Sequence, residues 1–296
     1  MILETQGLAK KFGGVQALAD CTLEAPAGSV FALVGPNGAG KTTAIKIFLN
    51  LIRPTAGRAE ILDVDSRKLG PRELAQIGYV SENRRLPEWM RVNYFFSYCK
   101  EFYPGWRDED LNELVRAYEL PLDRKLKTLS RGMKVKAALA AALAYRPRLL
   151  ILDEPFSGLD VLVRDQLITT VLERSGETTV FLASHDLAEI ESFATHVGYL
   201  NEGRLDFVEE MGSLSERFRE VEIVLETPAQ LPSGLPAAWL NAEVSGPVIR
   251  FTDSRFDPQK TQAEIGNRFA GVREVSIRAV PLRGIFVALA KATKRR

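Results

Sequence analysis

Ser29-Val-Phe-Ala-Leu-Val34, Gly35-Pro-Asn-Gly-Ala-Gly-Lys-Thr-Thr43 and Ala44-Ile-Lys-Ile-Phe-Leu49 follow one another without a break. The first is a short apolar run with β-branched and aromatic residues, the second a glycine-rich turn, and the third is apolar at helical spacing. The order reads strand, loop, helix. The middle segment fits G-x-x-x-x-G-K-[ST] at Gly35, Gly40, Lys41 and Thr42, and in that context the pattern specifies a mononucleotide phosphate site. Glycines let consecutive backbone N–H groups turn toward phosphate oxygens, and the helix that follows aims its positive N-terminal end at the same anion. Gly35, Pro36, Asn37, Gly38, Ala39 and Gly40 are therefore expected around a nucleotide's phosphates. Lys41 is expected to neutralise the β- and γ-phosphates and the Thr42 hydroxyl to ligate Mg2+, with Thr43 adding backbone and hydroxyl contacts.

A second element completes such a site. Leu149-Leu-Ile-Leu152 is a continuous apolar run, as a parallel strand buried on both faces requires, and it ends in Asp153-Glu154-Pro155. Carboxylates at the carboxyl end of such a strand emerge in the crevice where doubly wound sheets hold nucleotides. Asp153 is expected near Mg2+, and Glu154 beside the γ-phosphate, able to polarise a water. Thr178-Thr-Val-Phe-Leu-Ala183 reads as another buried strand, with Ser184-His185-Asp186 at its carboxyl end.

Composition narrows the classes. The 296 residues carry 39 basic and 38 acidic side chains. That balance argues against nucleic acid as a partner, because phosphate-backbone binding shows as a basic surplus or stripe. Cys21 and Cys99 lie far apart with no ligand-spaced partner, so neither a zinc site nor a disulfide framework is expected. The opening MILETQGLAKKF lacks the apolar core of a signal peptide. No stretch approaches the ~18 apolar residues of a membrane span, so a soluble, cytoplasmic protein is expected.

With these motifs in this order, the chain resembles the ATP-binding subunit of an ABC transporter over residues 1–215. Leu129-Ser-Arg-Gly-Met133 stands in the place of the family's LSGGQ signature, with Arg131 for the first glycine and Met133 for glutamine. Ser130 and Gly132 remain, and the resemblance implies that both touch a γ-phosphate. Ser157-Gly-Leu-Asp160 is similar to the loop expected to run along a partner subunit, and His185 to the switch histidine that contacts the γ-phosphate. Phe12 resembles the aromatic that stacks on adenine; a packed edge-strand phenylalanine is the alternative. Where the family usually places glutamine, Ser81-Glu82-Asn83 follows the apolar Ile77-Gly-Tyr-Val80. Glutamate keeps the reach and offers a charged oxygen to Mg2+ but loses the amide donor, so Glu82 is expected to act as a γ-phosphate sensor near the metal.

The resemblance implies an α/β P-loop NTPase core of ABC ATPase type with ATP and Mg2+. It also implies a head-to-tail dimer, with itself or a paralogous ATPase subunit, that closes around two ATP. Hydrolysis through Glu154, His185 and Lys41 would then drive transport, with export expected, through a separate multi-span permease. The chain would sit on the inner face of the membrane through that permease. Residues 83–145, with Trp89, Tyr94, Phe95, Phe96, Tyr98, Phe102, Tyr103 and Trp106, are expected to form a helical subdomain. Its helices include one from Leu111 to Leu120 and an alanine-rich one through Ala137 to Ala144.

Beyond residue 215 the pattern changes to an accessory α+β unit, 216–296. Strands are expected at 220–226, 248–252 and 274–280, and helices at 258–269 and 284–294. Its tail, Pro281-Leu-Arg-Gly-Ile-Phe-Val-Ala288, is similar to tails of subunits paired with separately encoded exporter permeases. Two other functions fit the same motifs: a soluble ABC-type ATPase that transports nothing, and a nucleotide-sensing subunit with little hydrolysis. A single phosphate loop and the missing basic stripe weigh against the first, whereas Arg131, Met133 and Glu82 speak for the second.

Overall fold

The computed structural model describes residues 1–81, 86–232 and 234–293. The chain divides into two compact units, residues 1–186 with 192–208, and residues 187–191 with 209–296. In the first unit the strands are β1 (Leu3–Phe12), β2 (Val15–Ala25), β3 (Val30–Val34), β4 (Ala56–Ile61), β5 (Val64–Asp65), β6 (Ile77–Ser81), β7 (Leu149–Asp153), β8 (Thr179–Ser184), β9 (His196–Asn201) and β10 (Arg204–Glu210), the last running into the second unit. The helices are α1 (Lys41–Phe48), α2 (Pro71–Leu74), α3 (Val92–Lys100), α4 (Asp108–Ala117), α5 (Arg131–Leu143) and α6 (Val161–Arg174).

Among the described residues, six strands form one sheet in the order β10-β9-β3-β8-β7-β6, and β2-β1-β4-β5 form a second. The pairs β9-β3, β3-β8, β8-β7 and β7-β6 are all parallel. Every residue of β3, β7 and β8 is buried, which explains their unbroken apolar runs: a strand covered on both faces has no solvent side to mark with polar residues. Phe181 joins the layers, stacking on Phe31 at 5.4 Å and meeting Phe48 of α1 edge-on at 5.4 Å. Burial of each such ring contributes about 2–3 kcal/mol.

The region expected to be helical contains α3, α4 and α5. Tyr145 ties it to the parallel sheet, stacking on Tyr103 at 3.9 Å and donating its hydroxyl to the Ile77 carbonyl at 3.0 Å. Four alanines of α5, Ala137, Ala140, Ala141 and Ala142, are buried; side chains this small let the helix lie close to β6. There Gly78 is hemmed in, since a Cβ would come 2.8 Å from Leu150 Cδ1 and 3.3 Å from the Ala142 carbonyl. Asp110 Oδ2 accepts from Arg146 Nε at 2.6 Å and Oδ1 from Nη2 at 3.0 Å, joining α4 to the end of α5.

The second unit contains α7 (Leu187–Glu191), α8 (Met211–Arg217), β11 (Arg219–Leu225), β12 (Trp239–Ser245), β13 (Val248–Asp253), α9 (Pro258–Arg268), β14 (Val272–Ala279) and α10 (Leu282–Thr293). Its sheet has the order β12-β13-β11-β14 and is antiparallel. Val221, Ile223, Ile249 and Phe251 are buried with Trp239, which stacks on Phe251 at 4.1 Å. The boundary expected at 215/216 falls within α8, where Leu214 is fully buried. Among the described residues no helix is long and apolar enough to cross a membrane.

Candidate nucleotide site

The loop between β3 and α1 is held by its backbone. Gly35 N donates to the Ser184 carbonyl at 3.3 Å, Ala39 N to Pro36 at 3.1 Å, and Gly203 N to Ala39 at 3.0 Å. Two glycines are required by space. A Cβ on Gly35 would stand 2.0 Å from the Leu200 carbonyl oxygen, and one on Gly40 2.4 Å from that of Ala17, with Gly40 also at φ 111°. Because Gly40 precedes α1 and no side chain caps that helix, its first N–H groups are disposed toward a ligand.

Lys41, Glu154 and His185 converge behind the loop. Lys41, only 5% exposed, donates to the Gly35 carbonyl at 2.7 Å and to Pro36 at 3.2 Å, and stands 3.1 Å from Glu154 Oε1. The other carboxylate oxygen of Glu154 lies 2.7 Å from His185 Nδ1. Glu154 itself has φ 52°, a left-handed conformation costing a non-glycine residue about 1–3 kcal/mol and typical of functional sites. The twist turns the carboxylate off the end of β7, between the lysine and the histidine, while Glu154 N keeps the sheet by donating to the Ala183 carbonyl at 2.9 Å.

The preceding residue points elsewhere. Asp153, 2% exposed, accepts from Thr42 Oγ1 at 3.1 Å through Oδ1. Burial pushes its carboxyl above the usual range; the Thr42 hydrogen bond opposes the shift, and the nearby Glu154 charge adds to it. A buried carboxylate with one hydroxyl donor is under-compensated, and together the two groups offer hard oxygen ligands suited to Mg2+. Among the described residues no cluster of three His, Cys, Asp or Glu could hold a metal by itself. Such an ion would complete its shell from phosphate oxygens and water.

These elements enclose a cavity of about 450 Å³ lined by Asn37 to Thr43, Glu154 and His185, together with Ala17 and Ser157. Asn37, Gly38, Ala39, Gly40, Lys41, Thr42, Thr43, Glu154 and His185 are thus brought to one place. Gly35 and Pro36 contribute carbonyls to Lys41 rather than to the lining. Sequence reasoning missed Ala17, on β2, as a lining residue; no motif marks it. Ser157, the first residue of the loop that the resemblance lays along a partner subunit, also lines this cavity.

Other expected site residues lie elsewhere. Ser130 caps α5, its Oγ accepting from Met133 N at 3.3 Å, and neither it nor Gly132 lines the cavity. Phe12 ends β1 at 49% exposure with Lys10 Nζ 4.9 Å from its ring centre, so it is not the packed edge-strand residue of the alternative, nor is it in the lining. Glu82 lies outside the described residues. Ser81, immediately before it, is in register with Asp153.

A phosphate loop, an acidic strand end and a histidine just past the end of the neighbouring strand of a parallel sheet define a P-loop nucleotide-hydrolysing protein. Comparison with known proteins gives the family: the ABC transporter profile matches residues 18–157. The iron(III) import ATP-binding protein FbpC of Pseudomonas fluorescens is 34% identical, the alignment covering 79% of this chain and 70% of that one. The ABC transporter ATP-binding protein YtrB of Bacillus subtilis is 28% identical over 78% and 79%. Among solved structures, an ATP-binding subunit of an ABC transporter superposes with a TM-score of 0.67 at 27% identity, covering 73% of this chain and 92% of that one. A dimeric ATP-binding cassette with ADP and phosphate shares the fold at a TM-score of 0.63 and 24% identity, over 71% and 98%. The chain belongs to the ABC transporter family, in which it is an ATP-binding, ATP-hydrolysing subunit.

Proposed function

We propose that two copies of this chain, or this chain and a paralogue, close head to tail around two ATP molecules and work a separate membrane permease. The observation that carries the site assignment is the Glu154 carboxylate held between Lys41 and His185 at the phosphate cavity. ATP would draw the Lys41 ammonium onto its β- and γ-phosphates, away from the carbonyls of Gly35 and Pro36. That frees one Glu154 oxygen to accept a proton from the attacking water. His185, beside the other oxygen through Nδ1, is assigned to the γ-phosphate as negative charge develops.

Thr42 and Asp153, with Glu82 as the third group, would hold Mg2+. When bound, the ion neutralises charge on the β- and γ-phosphate oxygens. Phe12, exposed on its hairpin, is assigned to the adenine, and Ser130 and Gly132 of the second copy to the γ-phosphate. A γ-phosphate touched from both sides gives ATP differential affinity for the closed dimer, which hydrolysis removes. The permease would hold the chain at the cytoplasmic face of the membrane. We assign export, on the likeness of the tail 281–288; the import named for FbpC is that protein's own.

Glu154→Gln tests the core of this proposal. The variant should bind ATP, lose turnover by a factor of about 10²–10⁴, and elute as a closed dimer with ATP in size-exclusion chromatography. Normal turnover in Glu154→Gln would remove Glu154 from the role of base.

A further inference from the structure

Arg131 replaces a glycine of the signature, and the fold gives that replacement a place. The residue opens α5 directly after the Ser130 cap. A Cβ built on Gly158 would lie 2.8 Å from Arg131 Nη1, 3.2 Å from Cζ and 3.5 Å from Nη2. The guanidinium therefore covers the face of Gly158 where a side chain would stand. Gly158 sits at φ 65° in the loop whose preceding residue, Ser157, lines the phosphate cavity with Glu154 and His185. At the far end of that loop, Asp160 Oδ1 accepts from Val163 N at 2.9 Å to cap α6. A Cβ on Gly132 would come 3.1 Å from Val163 Cγ1. The first turn of α5 thus meets the 157–160 loop through Arg131 at Gly158, and Gly132 leaves no room for a side chain beside Val163 in the first turn of α6.

We propose that Arg131 is a positioning residue that couples the two nucleotide sites of the dimer. The inference rests on the head-to-tail arrangement proposed above. In each copy, Ser157 faces the copy's own ATP, whereas Ser130 and Gly132 serve the ATP of the other. A shift of the loop on ATP binding is passed by the guanidinium to the start of α5, and so to the second site. A planar guanidinium presents a flat face and a rigid fork of donors, which a lysine ammonium does not. A glycine at 131 would remove the contact with Gly158.

The test is the ATP dependence of steady-state hydrolysis by the purified full chain, read as Hill coefficient, kcat and half-saturating ATP. The unsubstituted protein is expected to show a Hill coefficient of about 1.5 or more, and Arg131→Gly and Arg131→Ala a value of about 1. In both variants kcat should fall several-fold, with half-saturating ATP shifted by about twofold or less. Arg131→Lys, which keeps the charge and the aliphatic stem and so guards against misfolding, should also lose cooperativity. Unchanged cooperativity in Arg131→Ala, or a Hill coefficient of 1 in the unsubstituted chain, overturns the proposal. If Glu154→Gln forms a closed dimer while Arg131→Ala stays cooperative, the coupling alone fails. If Glu154→Gln forms none, the dimer and the coupling fall together.

Discussion

Alanine placed at each of three loop glycines should give unequal losses that follow from the space around them. At Gly38 a Cβ meets nothing within 4 Å, and the cost is only that of φ 84°, about 1–2 kcal/mol. At Gly35 the φ is ordinary, but the Cβ lies 2.0 Å from the Leu200 carbonyl oxygen, more than 1 Å inside ordinary contact. Backbone on both sides cannot rotate away, so β3 and β9 must part locally, at about 3 kcal/mol. At Gly40 both terms act, φ 111° and the Ala17 carbonyl at 2.4 Å, for about 3–5 kcal/mol together. Each kcal/mol lowers the midpoint of a domain this size by about 2–4 °C. Thermal melting, with binding of a fluorescent ATP analogue at low temperature, should rank the variants Gly38→Ala, Gly35→Ala, Gly40→Ala in order of increasing damage. Equal melting of Gly38→Ala and Gly35→Ala would refute the steric reasoning, since it would mean that the Leu200 carbonyl gives way freely.

Asp110→Asn should cost about 1–3 kcal/mol at neutral pH by breaking the charged pair with Arg146. The Arg146 hydrogen bonds hold the Asp110 carboxyl below the usual range. A lowered folded-state value means that this stabilisation is complete above the ordinary carboxylate range and fades as pH falls through the depressed one. Denaturation curves of the two proteins should therefore converge in acid, and a constant gap would contradict the assignment. For the direction of transport, substrate should accumulate in inside-out vesicles carrying the whole complex; ATP-driven release from them would establish import.

What sequence made legible was what the chain specifies locally. The phosphate loop announces itself because its glycines, lysine and flanking strand and helix are contiguous, and β7 and β8 because burial on both faces leaves no polar residue to blur them. His185 was placed by its position after an apolar run. Contacts made by crossing segments were not legible. Ala17 reaches the cavity because β2 passes behind Gly40, and nothing in its neighbours says so. Nor does sequence reveal that Glu154 is twisted left-handed or that Arg131 lies over Gly158. The expected helix from Leu111 to Leu120 is α4, Asp108–Ala117, displaced because Asp108, Glu109 and Asp110 favour the positive end of a helix. In the second unit β12 went unforeseen: only Trp239 is buried in it, so it shows no alternation to read.

The sheet register has a consequence for how this chain tolerates changes of length. Asp153 shares one rung with Ser81 on one side and with Ala183 on the other, and Ala183 in turn with Leu33. Deleting a single residue from Leu149–Asp153 would withdraw the carboxylates by about 3.3 Å and turn each side chain to the opposite face. A residue removed from the surface segment between β11 and β12 disturbs no such rung. Insertions and deletions should therefore be borne by the connections and barred from this five-residue strand, whatever residues it contains.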